Sequence, residues 1–221
     1  MCGRFTISKD KSQVVGFLNQ HFSIDHLNTI ELPRYNIGPG QDVLALIFDG
    51  ENYRAGLIPW DFKIDYKGKL KQIINARSES IVQKYSFKDA FKYKRCLIVS
   101  DGFYEWDKIT KTPYRIVKSD GSLYFYAGIY KQYIEENQKK FGALIITTKA
   151  NPLVEIHHKR MPVILDPESA KQYLNPHAPI DEIKKILVPY SPERMDLYEV
   201  SKEVNSMVND KPSLIKKTTN N

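Results

Sequence analysis

From residue 95 onward the chain reads as a succession of short extended runs separated by tight turns. Residues 95–100, 103–107, 113–118, 122–131 and 141–148 are rich in Val, Ile, Tyr and Phe, and Asp120-Gly121 marks a hairpin turn between two of them. A second hairpin signal is Asp49-Gly50-Glu51-Asn52, flanked by apolar runs at 43–48 and 53–58. Runs so closely spaced argue for antiparallel pairing, because parallel strands need long crossovers. Alternating βα units are missing, which weighs against Rossmann and TIM arrangements.

Helices fall at the margins of this pattern. Residues 8–22 carry Val14, Val15, Phe17, Leu18 and Phe22 on one face, with Ser8 as the expected cap. Further helices are expected at 78–84, 87–93, 167–173 and 181–187, and strands at 2–7 and 197–201. The Lys-rich stretch 61–72 reads as an exposed connection. The fold class is therefore α+β: one domain over 1–210, its antiparallel strands closed into a barrel-like core with peripheral helices. A basic tail, 211–221, is expected to fray.

Only two cysteines occur, Cys2 and Cys96, too few for a disulfide scaffold or a metal cage. Cys96 lies in an apolar run and reads as core. The sequence shows no signal peptide and no apolar span of membrane length, so the expected setting is cytoplasmic. Lys and Arg exceed Asp and Glu by 33 to 26, a net charge of +7 that suits a polyanionic partner such as nucleic acid.

Five places set polar residues inside structural sequence. Cys2 follows the initiator methionine; once Met1 is removed it carries both an α-amine of pKa ~7.7–8.0 and a thiol of pKa ~8.5. Such a 1,2-aminothiol condenses with aldehydes to a thiazolidine; alternatively, Cys2 is a small buried residue of a first strand. Asn75 and Arg77, two apart in an extended run, point to one side, or Asn75 caps the following helix. Glu105 lies between aromatics in a strand: exposed, it is ordinary, and buried, it is a general acid/base. Of His157 and His158, neighbours that point oppositely, neither suits joint metal binding, whereas one of them suits proton transfer. The turn-rich segment Arg34-Tyr35-Asn36-Ile37-Gly38-Pro39-Gly40 is either a ligand-approach loop or a surface loop.

Taken together these motifs resemble the SRAP family of abasic-site processing proteins. The resemblance runs from Met1-Cys2-Gly3-Arg4-Phe5 through Arg34-Tyr35-Asn36 and Pro39-Gly40. It continues with Asn75-Ala76-Arg77, Asp101-Gly102, Glu105-Trp106 and His158-Lys159-Arg160-Met161-Pro162. It implies a single-stranded DNA partner containing abasic sites, a monomer, no membrane and no cofactor or metal. By that resemblance Cys2 forms the covalent thiazolidine, Asn75 positions its amine or the sugar, Glu105 shuttles protons and His158 aids sugar ring opening. His158, two residues before Arg160, is the match rather than His157. DNA contacts are implied for Arg4, Asn36, Pro39, Arg77, Thr147 and Arg160. The family's wedge aromatic is shifted here, in Gly56-Leu57-Ile58-Pro59-Trp60-Asp61-Phe62, leaving Trp60 or Phe62 for that role. Competing readings are an N-terminal-nucleophile amidohydrolase, a cysteine peptidase using Cys2, His158 and Glu105, and a plain single-strand binder.

Overall fold

A computed structural model describes residues 3–28 and 30–218; Met1 and Cys2 lie outside the described residues. In chain order the first half forms β1 (Phe5–Ile7), α1 (Lys11–Phe22), β2 (Arg34–Ile37), β3 (Asp42–Phe48), β4 (Tyr53–Pro59), β5 (Phe62–Tyr66), β6 (Lys69–Ile73), β7 (Asn75–Arg77) and α2 (Tyr85–Tyr93). Next come β8 (Arg95–Ser100), β9 (Gly102–Trp106), β10 (Pro113–Lys118), β11 (Tyr124–Glu135), β12 (Gln138–Lys149) and α3 (Pro152–Glu155). The chain ends with β13 (Arg160–Pro162), β14 (Ile164–Leu165), α4 (Pro167–Leu174), α5 (Ile180–Lys185) and β15 (Met195–Glu199).

One sheet runs β15-β10-β9-β1-β2 and a larger one β13-β12-β11-β8-β3-β4, while β5 and β6 form a separate hairpin. Phe5 of β1 joins the two sheets, its ring 5.4 Å from Trp60 and 5.6 Å from Tyr126, both edge-on. The α+β class and antiparallel pairing are as expected, but no sheet among the described residues closes into a barrel. The reason lies in β12, which pairs with β11 only as far as Ile145. Beyond that point residues 160–165 enter between the two strands. Val163 donates to the Ile146 carbonyl at 2.9 Å and accepts from the Ala127 N–H at 3.0 Å. The sheet splays here, and β7 adds to β12 in parallel, Asn75 opposite Ile145 and Arg77 opposite Thr147.

Five local expectations change. Asp120-Gly121 turns the chain from β10 of one sheet into β11 of the other and does not close a hairpin. Asp10, not Ser8, caps α1: it accepts from the Gln13 N–H and the Gln13 side chain accepts from its own N–H, a complete capping box. The stretch 61–72 is largely a hairpin, turned by Lys67 and Gly68 at φ 56° and 76°. Residues 78–84 hold only a one-turn 3-10 helix, Ser78–Ser80. The tail up to Thr218 does not fray, since Leu214 is buried against Tyr104, Val200 and Val204. No helix among the described residues is long and apolar enough to cross a membrane.

Gly142 lets β12 pass close to the backbone at Asp61. A Cβ there would lie 1.9 Å from the Asp61 carbonyl oxygen, a backbone atom that cannot swing aside. Gly142→Ala is expected to cost about 1–3 kcal/mol as overpacking strain, read as a lower Tm at roughly 2–4 °C per kcal/mol. An unchanged melting curve would show that β5 gives way freely.

Candidate active site

The short strand β1 sets the first described residues beside β9. Phe5 pairs with Phe103 and Thr6 with Gly102, and the Tyr104 N–H donates to the Arg4 carbonyl at 2.9 Å. Followed two residues toward the N-terminus, that register sets Gly3 level with Glu105. The Glu105 side chain lies on the same face of β9 as Phe103, two residues before it and fully buried. It is 4% exposed, and Oε1 has no hydrogen-bond partner among the described residues. Burial pushes its carboxyl up to about 7. Tyr114, directly across from Glu105 on β10, stacks on His157 with ring centres 4.2 Å apart. His157 itself is buried, 3.6 Å from an Asp107 oxygen, and burial lowers its pKa.

The second half of the site grows from the splayed end of β12. There β7 and β13 bring Asn75, Arg77, Thr147 and Arg160 to neighbouring strands. The Arg160 guanidinium grips Glu79 through two bonds, 2.6 and 3.0 Å, and also donates to the Thr147 carbonyl at 2.5 Å. That grip holds the Glu79 carboxyl below its ordinary pKa. His158 lies in the loop just before β13, half-buried, its Nδ1 3.1 Å from the Arg160 nitrogen and 3.0 Å from the Arg160 carbonyl oxygen. The Arg160 backbone meets that nitrogen in either tautomer, as acceptor to an Nδ1–H or as donor to a bare Nδ1. Burial lowers the pKa of His158, so the ring is mostly uncharged at neutral pH. The candidate residues therefore include a carboxyl poised near neutrality, an imidazole of lowered pKa, the half-buried Arg160 guanidinium and the exposed Arg77.

Residues 1–207 match the family model described as SOS response associated peptidase (SRAP). The chain belongs to the SRAP family. The Bacillus subtilis (strain 168) abasic site processing protein YoqW is 40% identical over 97% of this chain and 99% of its own. The Escherichia coli (strain K12) abasic site processing protein YedK is 30% identical over 97% of this chain and 99% of its own. A crystal structure of a Bacteroides thetaiotaomicron protein shares the fold, with a TM-score of 0.80, 23% identity, and coverage of 99% of this chain and 100% of that one.

Several residues expected at the DNA are engaged within the protein. Asn36 is 1% exposed; its amide donates to the carbonyls of Ser206 and Asn209 at 3.0 and 2.8 Å and its oxygen accepts from Arg4 at 2.7 Å. Arg4 also donates to the Val204 carbonyl at 2.8 Å, and its guanidinium lies 5.8 Å from the Trp106 ring centre. These two motif residues tie β1 and β2 to the C-terminal segment. Trp60 and Phe62 are both fully buried, so neither presents a ring face as a wedge. Trp60 instead donates to the Ile74 carbonyl at 2.8 Å, fixing the residue before Asn75 from beneath. Pro39 is half-exposed in a loop pinned by the Gly40 N–H on the Trp60 carbonyl, and Arg77 is exposed.

Sequence reasoning missed Glu79, Tyr114 and Arg115. Arg115 had a signal: an arginine within the alternating run of an otherwise apolar strand needs a buried partner, and Asp101 is that partner at 3.2 Å. Among the described residues no group of three His, Cys, Asp or Glu is placed to hold a metal ion. Cys96 is fully buried and burial pushes its thiol upward, which leaves it protonated and inert.

Proposed function

We propose that this SRAP protein processes abasic sites in single-stranded DNA through the freed amino terminus of Cys2. The observation that carries the reading is Glu105, a buried carboxyl near pKa 7 level with Gly3, to which Cys2 is joined. The names of YoqW and YedK support the substrate class. The ring-opened deoxyribose presents an aldehyde at C1′. The Cys2 amine adds to that carbon, and loss of water leaves an imine. The sulfur then adds to the imine carbon while the thiol proton passes to nitrogen, closing a thiazolidine. Glu105 donates the proton that carries off water and takes it back on reversal. His158 assists ring opening, and Asn75 orients amine or sugar. Arg77 and Arg160 take phosphates, Arg160 exchanging Glu79 for one. Arg4 and Asn36 hold the strand that carries Cys2. The imine also permits β-elimination, a minor lyase route. Removal of Met1 is the one peptidase step the scheme requires.

The test is incubation with single-stranded DNA bearing one abasic site, followed by denaturing electrophoresis. A heat-resistant shifted band is expected, and its absence from Met1-free protein would sink the reading. Glu105→Gln should slow band formation and flatten its pH dependence between about pH 6 and 8. The same variant has a stability signature. A carboxyl whose folded pKa is raised stabilises the fold most below its unfolded pKa and loses that contribution as pH rises toward about 7. Glu105→Gln should therefore gain on the parent by up to about 3 kcal/mol between pH 5 and 8, measured by denaturant titration. A constant difference across that range would place Glu105 in contact with solvent.

A further inference from the structure

The basic excess of the chain is not spread over its surface. Residues 61–94 hold nine Lys and Arg against four Asp and Glu, so +5 of the net +7 lies in 34 residues. These residues form β5, β6, β7 and α2, and their lysines interleave with aromatic rings. Lys67 and Lys71 each lie 5.6 Å from the Tyr66 ring centre, Lys88 5.3 Å from Tyr85, and Lys92 4.9 Å from Tyr93. Tyr66, Tyr85 and Tyr93 are 56%, 84% and 67% exposed, so each ring keeps surface open to solvent beside its lysine. Tyr85 and Tyr93 share one site. β5, α2 and the middle of β11 enclose a groove of about 520 Å³, lined by Ile64, Tyr85, Tyr93, Lys94 and Lys131. Asp65 and Asp89 also line it; Asp65 is turned onto the Gly68 N–H of its own hairpin at 2.9 Å.

We propose that this groove is an accessory surface for single-stranded DNA, holding nucleotides that flank the lesion. The proposal rests on the reading that the protein acts on single strands. Lysines supply phosphate contacts, and exposed tyrosine rings supply stacking platforms that only unpaired bases can use. A duplex, with its bases already stacked, would gain from the lysines alone. The groove is also continuous with the site in the chain: β6 passes through Ile74 straight into Asn75 and Arg77 of β7, and α2 follows.

The experiment measures fluorescence anisotropy of undamaged, labelled oligothymidylates of about 24 and about 8 nucleotides, since stacking sites span ~4–16 nucleotides. Tyr85→Ala/Tyr93→Ala is expected to weaken binding of the long strand about a hundredfold, at ~10-fold for each of the two missing stacks, and to leave duplex binding unchanged. Lys88→Gln/Lys92→Gln should reduce the salt slope on the long strand by about 0.7 for each phosphate no longer neutralised. Crosslinking of the short strand carrying an abasic site should match the parent in both variants. An unchanged long-strand affinity in the tyrosine variant overturns the proposal. So does equal loss of binding to duplex or to phosphatidylglycerol vesicles, which would make the patch a general anion surface. If the parent forms no crosslink yet tyrosine-dependent binding persists, the covalent chemistry falls and the groove stands.

Discussion

Cys2→Ala protein is expected to give no heat-resistant band with abasic single-stranded DNA, a complete loss. The variant separates the two nucleophiles that one residue supplies. Alanine at position 2 keeps the α-amine once Met1 is gone, so an imine still forms and reduction with borohydride should trap it. Without a thiol the imine cannot close to a ring, and the untreated complex hydrolyses on heating. A form blocked at the amine should give neither band. If borohydride fails to restore a band in Cys2→Ala, the amine is not the group that meets the aldehyde. If the untreated variant keeps its band, the thiol is dispensable and the thiazolidine falls. Glu105 has the same task in both proteins, so the trapped imine should show the parent's dependence on pH.

The second large effect is on stability. Arg115 and Asp101 are 6% and 3% exposed and 3.2 Å apart, and Asp101 also accepts from the Thr6 hydroxyl and the Ser8 N–H. This knot joins β1 to β9 and β10, the strands that carry Gly3, Glu105 and Tyr114. Removing one partner strands a charge in the interior, so Arg115→Met is expected to cost about 3–5 kcal/mol, a large share of the ~5–15 kcal/mol available to a domain. Asp101→Asn/Arg115→Met together should cost less than Arg115→Met alone, because no buried charge is left. Denaturant unfolding compares the three proteins. Equal losses in single and double variants would show that packing, not charge, holds the knot.

What could be read from the residues alone divides along a physical line. Turn formers and apolar periodicity act locally, so the Asp49–Asn52 hairpin, the turn at Asp120-Gly121 and the body of α1 were legible, but not that this turn carries the chain from one sheet to the other. The barrel was not, because its failure comes from residues 160–165 entering between β11 and β12, a pairing between distant segments that leaves no local signal. The β5–β6 hairpin was masked by its lysines, although Phe62, Ile64 and the Lys67-Gly68 turn were present. In the site, residue types were readable but depths were not. Glu105 could be exposed or buried, and only the packing over its face of β9 decided it. Asn36 and Trp60 look alike in a motif whether they meet a ligand or the interior, and both lie inside.

The ties of Arg4 and Asn36 to residues 204–209 also join segments 170 to 200 residues apart in sequence. Closing so long a loop is a late entropic cost that local structure cannot offset. The strand beside Glu105 therefore gains its last anchors only when distant parts of the chain have met, and its order reports on the whole fold.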